Sequence, residues 1–139
     1  MEPSVGDIFE YPWTIQETDL DSFGHLNNAV YLRILEQARW AFISERGFGL
    51  DHIRKSGLGP VILEIQMKFM RELLARDAVV IRSQSMDFKG KVGRIRQWIE
   101  KDGLLCFEAV LTVGFWDIHK RKLVPANPEW LRAVGISQP

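Results

Sequence analysis

The chain has 139 residues, 46% of them hydrophobic and 26% charged, and its 18 Lys and Arg balance its 18 Asp and Glu. A formal net charge of zero argues against a nucleic-acid protein or a binder of membrane surfaces, whose partners demand a basic excess. The length is that of one domain, residues 1–139, long enough to bury a real core.

In chain order, Ile8 to Gln16 mixes aromatic and β-branched residues and reads as a strand. From Ala29 to Arg46, Tyr31, Ile34, Leu35, Ala38, Ala41 and Phe42 recur at helical spacing on one face. Arg33, Glu36, Gln37 and Arg39 lie largely off that face, while Val30, Leu32, Trp40 and Ile43 widen the apolar surface. This predicts a helix more than half buried. Gly47 suits the left-handed position after its last turn. "GFGLDHIRKSGLGP" predicts a loop with one further helical turn.

After Pro60 the period becomes two. In "VILEIQMKF", Glu64, Gln66 and Lys68 alternate with Leu63, Ile65, Met67 and Phe69. Glu64 therefore belongs to a solvent or subunit-contact face. "AVVIRSQSMDF" is a second strand, "FKGKVG" a hairpin turn into "RIRQWIE", and "KDG" a turn into "LLCFEAVLTVGFW". "DIHKRK" is a polar turn and "PEWLRAVG" a short terminal helix. The order is strand, helix, then four strands: an α+β fold with a five-stranded antiparallel sheet around one long central helix. One helix leaves part of the sheet and its edges uncovered, so a partner subunit is expected.

Most standard chemical signals are missing. There is no G-x-S-x-G and no G-x-x-x-x-G-K-[ST]. His25, His52 and His119 are far apart and Cys106 is the single cysteine, so no metal site and no cofactor are expected. Cys106 lies mid-strand and reads as a buried, inert thiol that fits a reducing compartment. No apolar run approaches the ~20 residues of a bilayer span. "MEPSVGDIFEYPW" lacks a basic stretch followed by an apolar one, so a cytoplasmic location is expected.

The informative stretch is "DLDSFGHLNNAVYLRILEQARW", a polar cluster directly before the long helix. On one reading Asp19 and Asp21 are turn residues, and Asn27 or Asn28 caps the helix. On the other, a carboxylate and a helix N-terminus form a reaction centre. Free backbone N–H groups there can polarise a carbonyl and stabilise its oxyanion. The carboxylate can attack that carbonyl or take a proton from water. A thioester suits such sparse equipment, because a cysteine-type thiol has a pKa near ~8.5 and leaves without a strong acid.

These residues resemble the opening of hotdog-fold acyl-CoA thioesterases of the 4-hydroxybenzoyl-CoA thioesterase type. The pattern is an Asp, two spacers, a Gly and, shortly after, a Tyr on the central helix. "VILEIQMKFMRELLARDAVVI" and "FWDIHKRKLVP" are similar to that family's strands, so the likeness covers nearly the whole chain. The resemblance implies that Asp21 is nucleophile or general base and that the polarising N–H falls near Asn28. It implies that Gly24 and His25 belong to the substrate-binding residues and that Tyr31 lines the acyl pocket; Tyr31 also fits the core face of the helix. His25 and Asn27 resemble a G-H-x-N-N version of the motif, with His25 ordering a water or Asp21, or holding the loop in shape. Asp19 matches a commonly acidic position and reads as a turn or supporting residue. Leu26-Asn27-Asn28 replaces bulkier residues of the aromatic-substrate enzyme and argues against an aromatic substrate.

The basic run "KGKVGRIR" offers Lys89, Lys91, Arg94 and Arg96. Lys89 and Lys91 are candidates for coenzyme A phosphates at a pocket mouth, or else a solvated hairpin tip. The expectation is an acyl-CoA thioesterase acting as a homodimer or homotetramer, with no nucleic-acid or membrane partner. The alternatives are a non-catalytic acyl-CoA or acyl-carrier binder and a hotdog dehydratase or hydratase.

Overall fold

The computed structural model describes residues 6–136. The reading of the N-terminal stretch rests partly on residues 1–5, which lie outside the described residues. In chain order the elements are β1 (Ile8–Thr14), α1 (Asn28–Glu45), α2 (Leu50–Ser56), β2 (Leu58–Phe69), β3 (Ala78–Lys89), β4 (Val92–Lys101), β5 (Leu104–Asp117), β6 (Lys122–Leu123) and α3 (Pro128–Ala133). Every strand pairing is antiparallel, in the order β1-β3-β4-β5-β2. The five-stranded sheet around one helix is therefore present, and β6 adds two residues beside the end of β5. That strand was not foreseen because two residues show no period. The polar turn before it is set by Asp117, whose carboxylate accepts the His119 and Lys120 N–H groups.

Local chemistry accounts for the turns. Asp102 and Gly103 both have positive φ, 51° and 77°, as the two-residue hairpin between β4 and β5 requires. At the end of α1, the Gly47 N–H reaches Ser44 O and the Phe48 N–H reaches Ile43 O, a Schellman closure that drops Phe48 into the core. The predicted single helical turn after it is the two-turn α2.

α1 buries Tyr31, Ile34, Leu35, Ala38, Phe42 and Ile43. They pack on Ile81, Ile95, Ile99, Phe107, Leu111, Val113 and Phe115 from the concave face of the sheet. Each such side chain contributes roughly 1.5–3 kcal/mol by leaving water. Ala41, expected on the buried face, is exposed; α1 turns Ile43 inward instead.

β2 departs from strict alternation. Its register with β5 shifts between Ile62 and Glu64, so Leu63 is the extra residue of a β-bulge. Ile65 packs on the core and Phe69 on Tyr31 and Phe107, as expected. Leu63 does not join them: its side chain lies with Val61 and Leu123 over Gly114, and Ile62 faces inward with Ile95 and Val113. β1 and β2 are the outer strands of the main sheet. β2 exposes Ile62, Leu63, Met67 and Phe69. No helix among the described residues is long and apolar enough to cross a membrane.

Candidate active site

The segment Asp19 to Asn27 folds as a compact loop clamped at both ends. Leu20 bridges Leu26, His25 bridges Leu74, and the Leu26 N–H donates to Leu73 O at 2.9 Å. At its tip the Asp21 Oδ1 accepts the Phe23 N–H at 2.9 Å and the His25 N–H at 3.1 Å. Gly24, with φ of 82°, closes this turn in a conformation that a side chain would strain. The loop thus fixes one oxygen of Asp21. Among the described residues no hydrogen bond engages the other oxygen.

Asn27 is the helix cap: its Oδ1 accepts the Ala29 N–H at 2.9 Å, and its carbonyl accepts the Val30 and Tyr31 N–H groups. Asn28 is therefore the first helical residue. Among the described residues its N–H has no hydrogen-bond partner, so it points a free donor and the positive end of α1 outward. Asp21 and Asn28 line one cleft of about 260 Å³ with His25, Tyr31, Phe69 and Arg71.

Tyr31 has two roles at once. It is 4% exposed, its ring stacks on Phe107 at 4.6 Å and meets Phe69 edge-on at 4.9 Å, and it still borders the cleft. Burial, with smaller contributions from Cys106 and Asp21, pushes its hydroxyl up to about 12, so it stays a proton donor at neutral pH. Cys106 is buried, as expected. His25 Nε2 lies 2.9 Å from Glu72 Oε2 and ties the loop to the β2–β3 connection. This supports its reading as a loop-holding residue at the cleft wall.

Asp19 is unlike Asp21. It is 1% exposed and accepts from the Trp13 indole, the Gln16 N–H and the Arg33 guanidinium. It braces the loop from beneath and does not border the cleft.

Lys89 and Lys91 are not brought to this cleft within one chain. The loop sits at the Ala78 end of β3, and a 12-residue strand spans roughly 36–40 Å. The cleft residues Phe69, Met70, Arg71 and Glu72 escaped the sequence reading as site residues. The visible signal was Phe69-Met70-Arg71 within "VILEIQMKFMRELLARDAVVI", a stretch read only for its strands.

The thioesterase-like superfamily model matches residues 15–134. The chain belongs to that superfamily. It is a thioester hydrolase with the hotdog fold. The superfamily match includes the whole loop and α1. The long-chain acyl-CoA thioesterase FadM of Escherichia coli is 30% identical over 112 residues, covering 79% of this chain and 84% of the relative. The probable thioesterase YbaW of E. coli superposes with a TM-score of 0.80 at 25% identity, covering 89% of this chain and 94% of that one. A Staphylococcus aureus protein solved in complex with CoA superposes at 0.86 with 16% identity, covering 100% of this chain and 94% of that one.

Proposed function

We propose that this thioester hydrolase acts on acyl-CoA, with Asp21 as the general base and the Asn28 N–H as the oxyanion donor. The observation that carries the reading is the shared cleft: a carboxylate oxygen and a helix-start N–H, each without a protein partner among the described residues. The thioester carbonyl oxygen accepts the Asn28 N–H. A water beside the free Asp21 oxygen attacks the carbonyl carbon and gives its proton to the carboxylate. The C–S bond then breaks, and the thiolate takes the proton back. The open mouth of the cleft admits that water, which favours the base role over direct attack by Asp21. The relative named for an acyl-CoA substrate, and the neighbour solved with CoA, support the carrier.

The enzyme acts as a homodimer of single-domain, cytoplasmic chains. The free edge of β2 is apolar and exposed, a strand edge that proteins cover rather than leave open. Antiparallel pairing of two β2 strands about a two-fold axis sets the Phe69 end of one against the Leu58 end of the other. Leu58 pairs with Asp117, and nearby the Phe115 N–H donates to Lys91 O. The basic hairpin of one subunit thereby approaches the cleft of its partner. That brings Lys89 and Lys91 to coenzyme A phosphates across the interface.

A panel of acyl-CoAs assayed by thiol release tests the reading. Release that needs Asp21 supports it; tight acyl-CoA binding without any release favours the binding-protein alternative.

A further inference from the structure

A second cavity, of about 150 Å³, lies between α1 and the start of β2. Its walls are apolar: Trp40, Ile62, Ile95 and Trp130 among them. Into this setting α1 sends the Arg39 side chain. Arg39 Nη1 donates to Gln97 Oε1 at 3.0 Å, its one protein hydrogen bond among the described residues. Gln97 is fully buried and oriented by its own bonds to Leu35 O and the Ser83 hydroxyl. It is therefore a rigid brace for the guanidinium. Burial pulls the Arg39 guanidinium down, and Glu36 only partly offsets this. Glu36 sits exposed at the rim and makes no hydrogen bond to Arg39. Trp130 closes the cavity as a fully buried ring. One small cavity thus holds a cation with unused donors. Those donors favour an anionic acceptor.

The cavity is not remote from the cleft. Both are lined by the same two elements: Asn28 and Phe69, from α1 and β2, border the cleft, and Arg39 and Ile62, from the same pair, border the cavity. Arg39 lies eleven positions after Asn28 in α1, about 16 Å along the axis. Tyr31, Ile65 and Met67 lie between, and the bulge at Leu63 is what turns Ile62 into the far wall.

We propose that this cavity receives a terminal carboxylate on the acyl chain, so that the enzyme selects monothioesters of medium-length dicarboxylic acids. The carboxylate takes the free donors of the Arg39 guanidinium, while the methylenes run between α1 and β2. This rests on the acyl-CoA reading of the cleft.

The test compares plain and ω-carboxyl acyl-CoAs of equal length, across lengths, by kcat/KM. At the matching length the carboxylated substrate should win by roughly 10-fold or more, the scale of hydrogen bonds to charged groups. Arg39→Met should erase that preference, and Glu36→Gln, which removes the rim carboxylate, should increase it. A readout independent of catalysis is available because Trp40 and Trp130 line the cavity. Free dicarboxylic acid should change their fluorescence at lower concentration than the matching monocarboxylic acid, and Arg39→Met should abolish the difference. Hydrolysis of plain acyl-CoAs without any carboxylate preference would overturn this proposal and leave the acyl-CoA reading intact. The fluorescence preference without any thiol release would do the reverse. An Arg39→Met protein that dissociates yet keeps its substrate preference would show that Arg39 pairs across the subunit interface instead.

Discussion

Replacing Asp21 and Asp19 separately by Asn should split turnover from stability. Asp21→Asn keeps an acceptor oxygen for the Phe23 and His25 N–H groups, so the turn closed by Gly24 persists. What is lost is the carboxylate that takes the proton. A positioned acid–base group contributes about 10²–10⁴-fold, so kcat should fall by roughly that factor with little change in Tm. Asp19→Asn does the opposite. Asp19 Oδ1 faces the Arg33 guanidinium at 2.8 Å while Oδ2 serves the Trp13 and Gln16 donors. An amide must either turn its NH₂ against Arg33 or abandon the other two donors. With the side chain 2% exposed, a cost of about 2 kcal/mol is expected, or a Tm lower by about 5–10 °C. Turnover per folded molecule should remain within a few-fold of the parent. The assay is steady-state thiol release beside thermal melts of both variants. Near-normal kcat in folded Asp21→Asn, or a greater turnover loss in Asp19→Asn, would refute the assignment.

Three further outcomes are expected. Lys89→Ala with Lys91→Ala should raise KM and flatten its salt dependence with kcat little changed; an unchanged KM at low ionic strength would return both to a solvated hairpin. Light scattering at micromolar concentration should show at least a dimer, and Met67→Lys on the exposed edge strand should weaken it; a monomer-sized parent would remove the shared-site geometry. Burial pushes the Asp77 carboxyl up, but the Leu74 N–H and the Lys101 ammonium outweigh it and hold it below the usual range. A carboxyl lowered on folding contributes stability above its unfolded pKa of about 3.9 and loses it as pH falls through the folded value. Asp77→Asn should therefore melt lower than the parent at neutral pH, with the gap closing in acid; a gap constant from pH 7 to 3 would contradict this.

The legible parts of the chain were those where one local period or one turn chemistry decides the structure. α1 announced itself by 3.6-residue spacing, the β4–β5 hairpin by Asp102-Gly103, and the loop by its cluster of carboxylates, glycine and asparagines. What stayed hidden depends on long-range register. Nothing in "VILEIQMKF" marks Leu63 as the extra residue of a bulge, because the bulge exists only relative to β5. Residue type alone does not tell Asp19 from Asp21; the family resemblance singled out Asp21. What the sequence did not give is that packing against Trp13 and Arg33 makes Asp19 a buried brace. Arg39 fell off the apolar face and so read as a surface residue, whereas Gln97, 58 positions away, holds it in a cavity.

The bulge also explains how one edge strand can serve two purposes. A regular β2 would present Leu63, Ile65, Met67 and Phe69 to α1 and leave only Glu64, Gln66 and Lys68 outside. The extra residue switches the phase at Leu63. Beyond it toward the N-terminal end, Val61 and Leu63 form an apolar patch with Leu123 over Gly114 on the convex side. After it, Phe69 packs edge-on against Tyr31 and keeps that end of the strand apolar. An apolar edge strand left bare invites indiscriminate pairing with other strands, and β2 carries no proline within the stretch Val61–Phe69 to prevent it. In the proposed dimer a partner subunit pairs with this edge and would also roof the space beside Tyr31, which would tie assembly and acyl binding to the same strand.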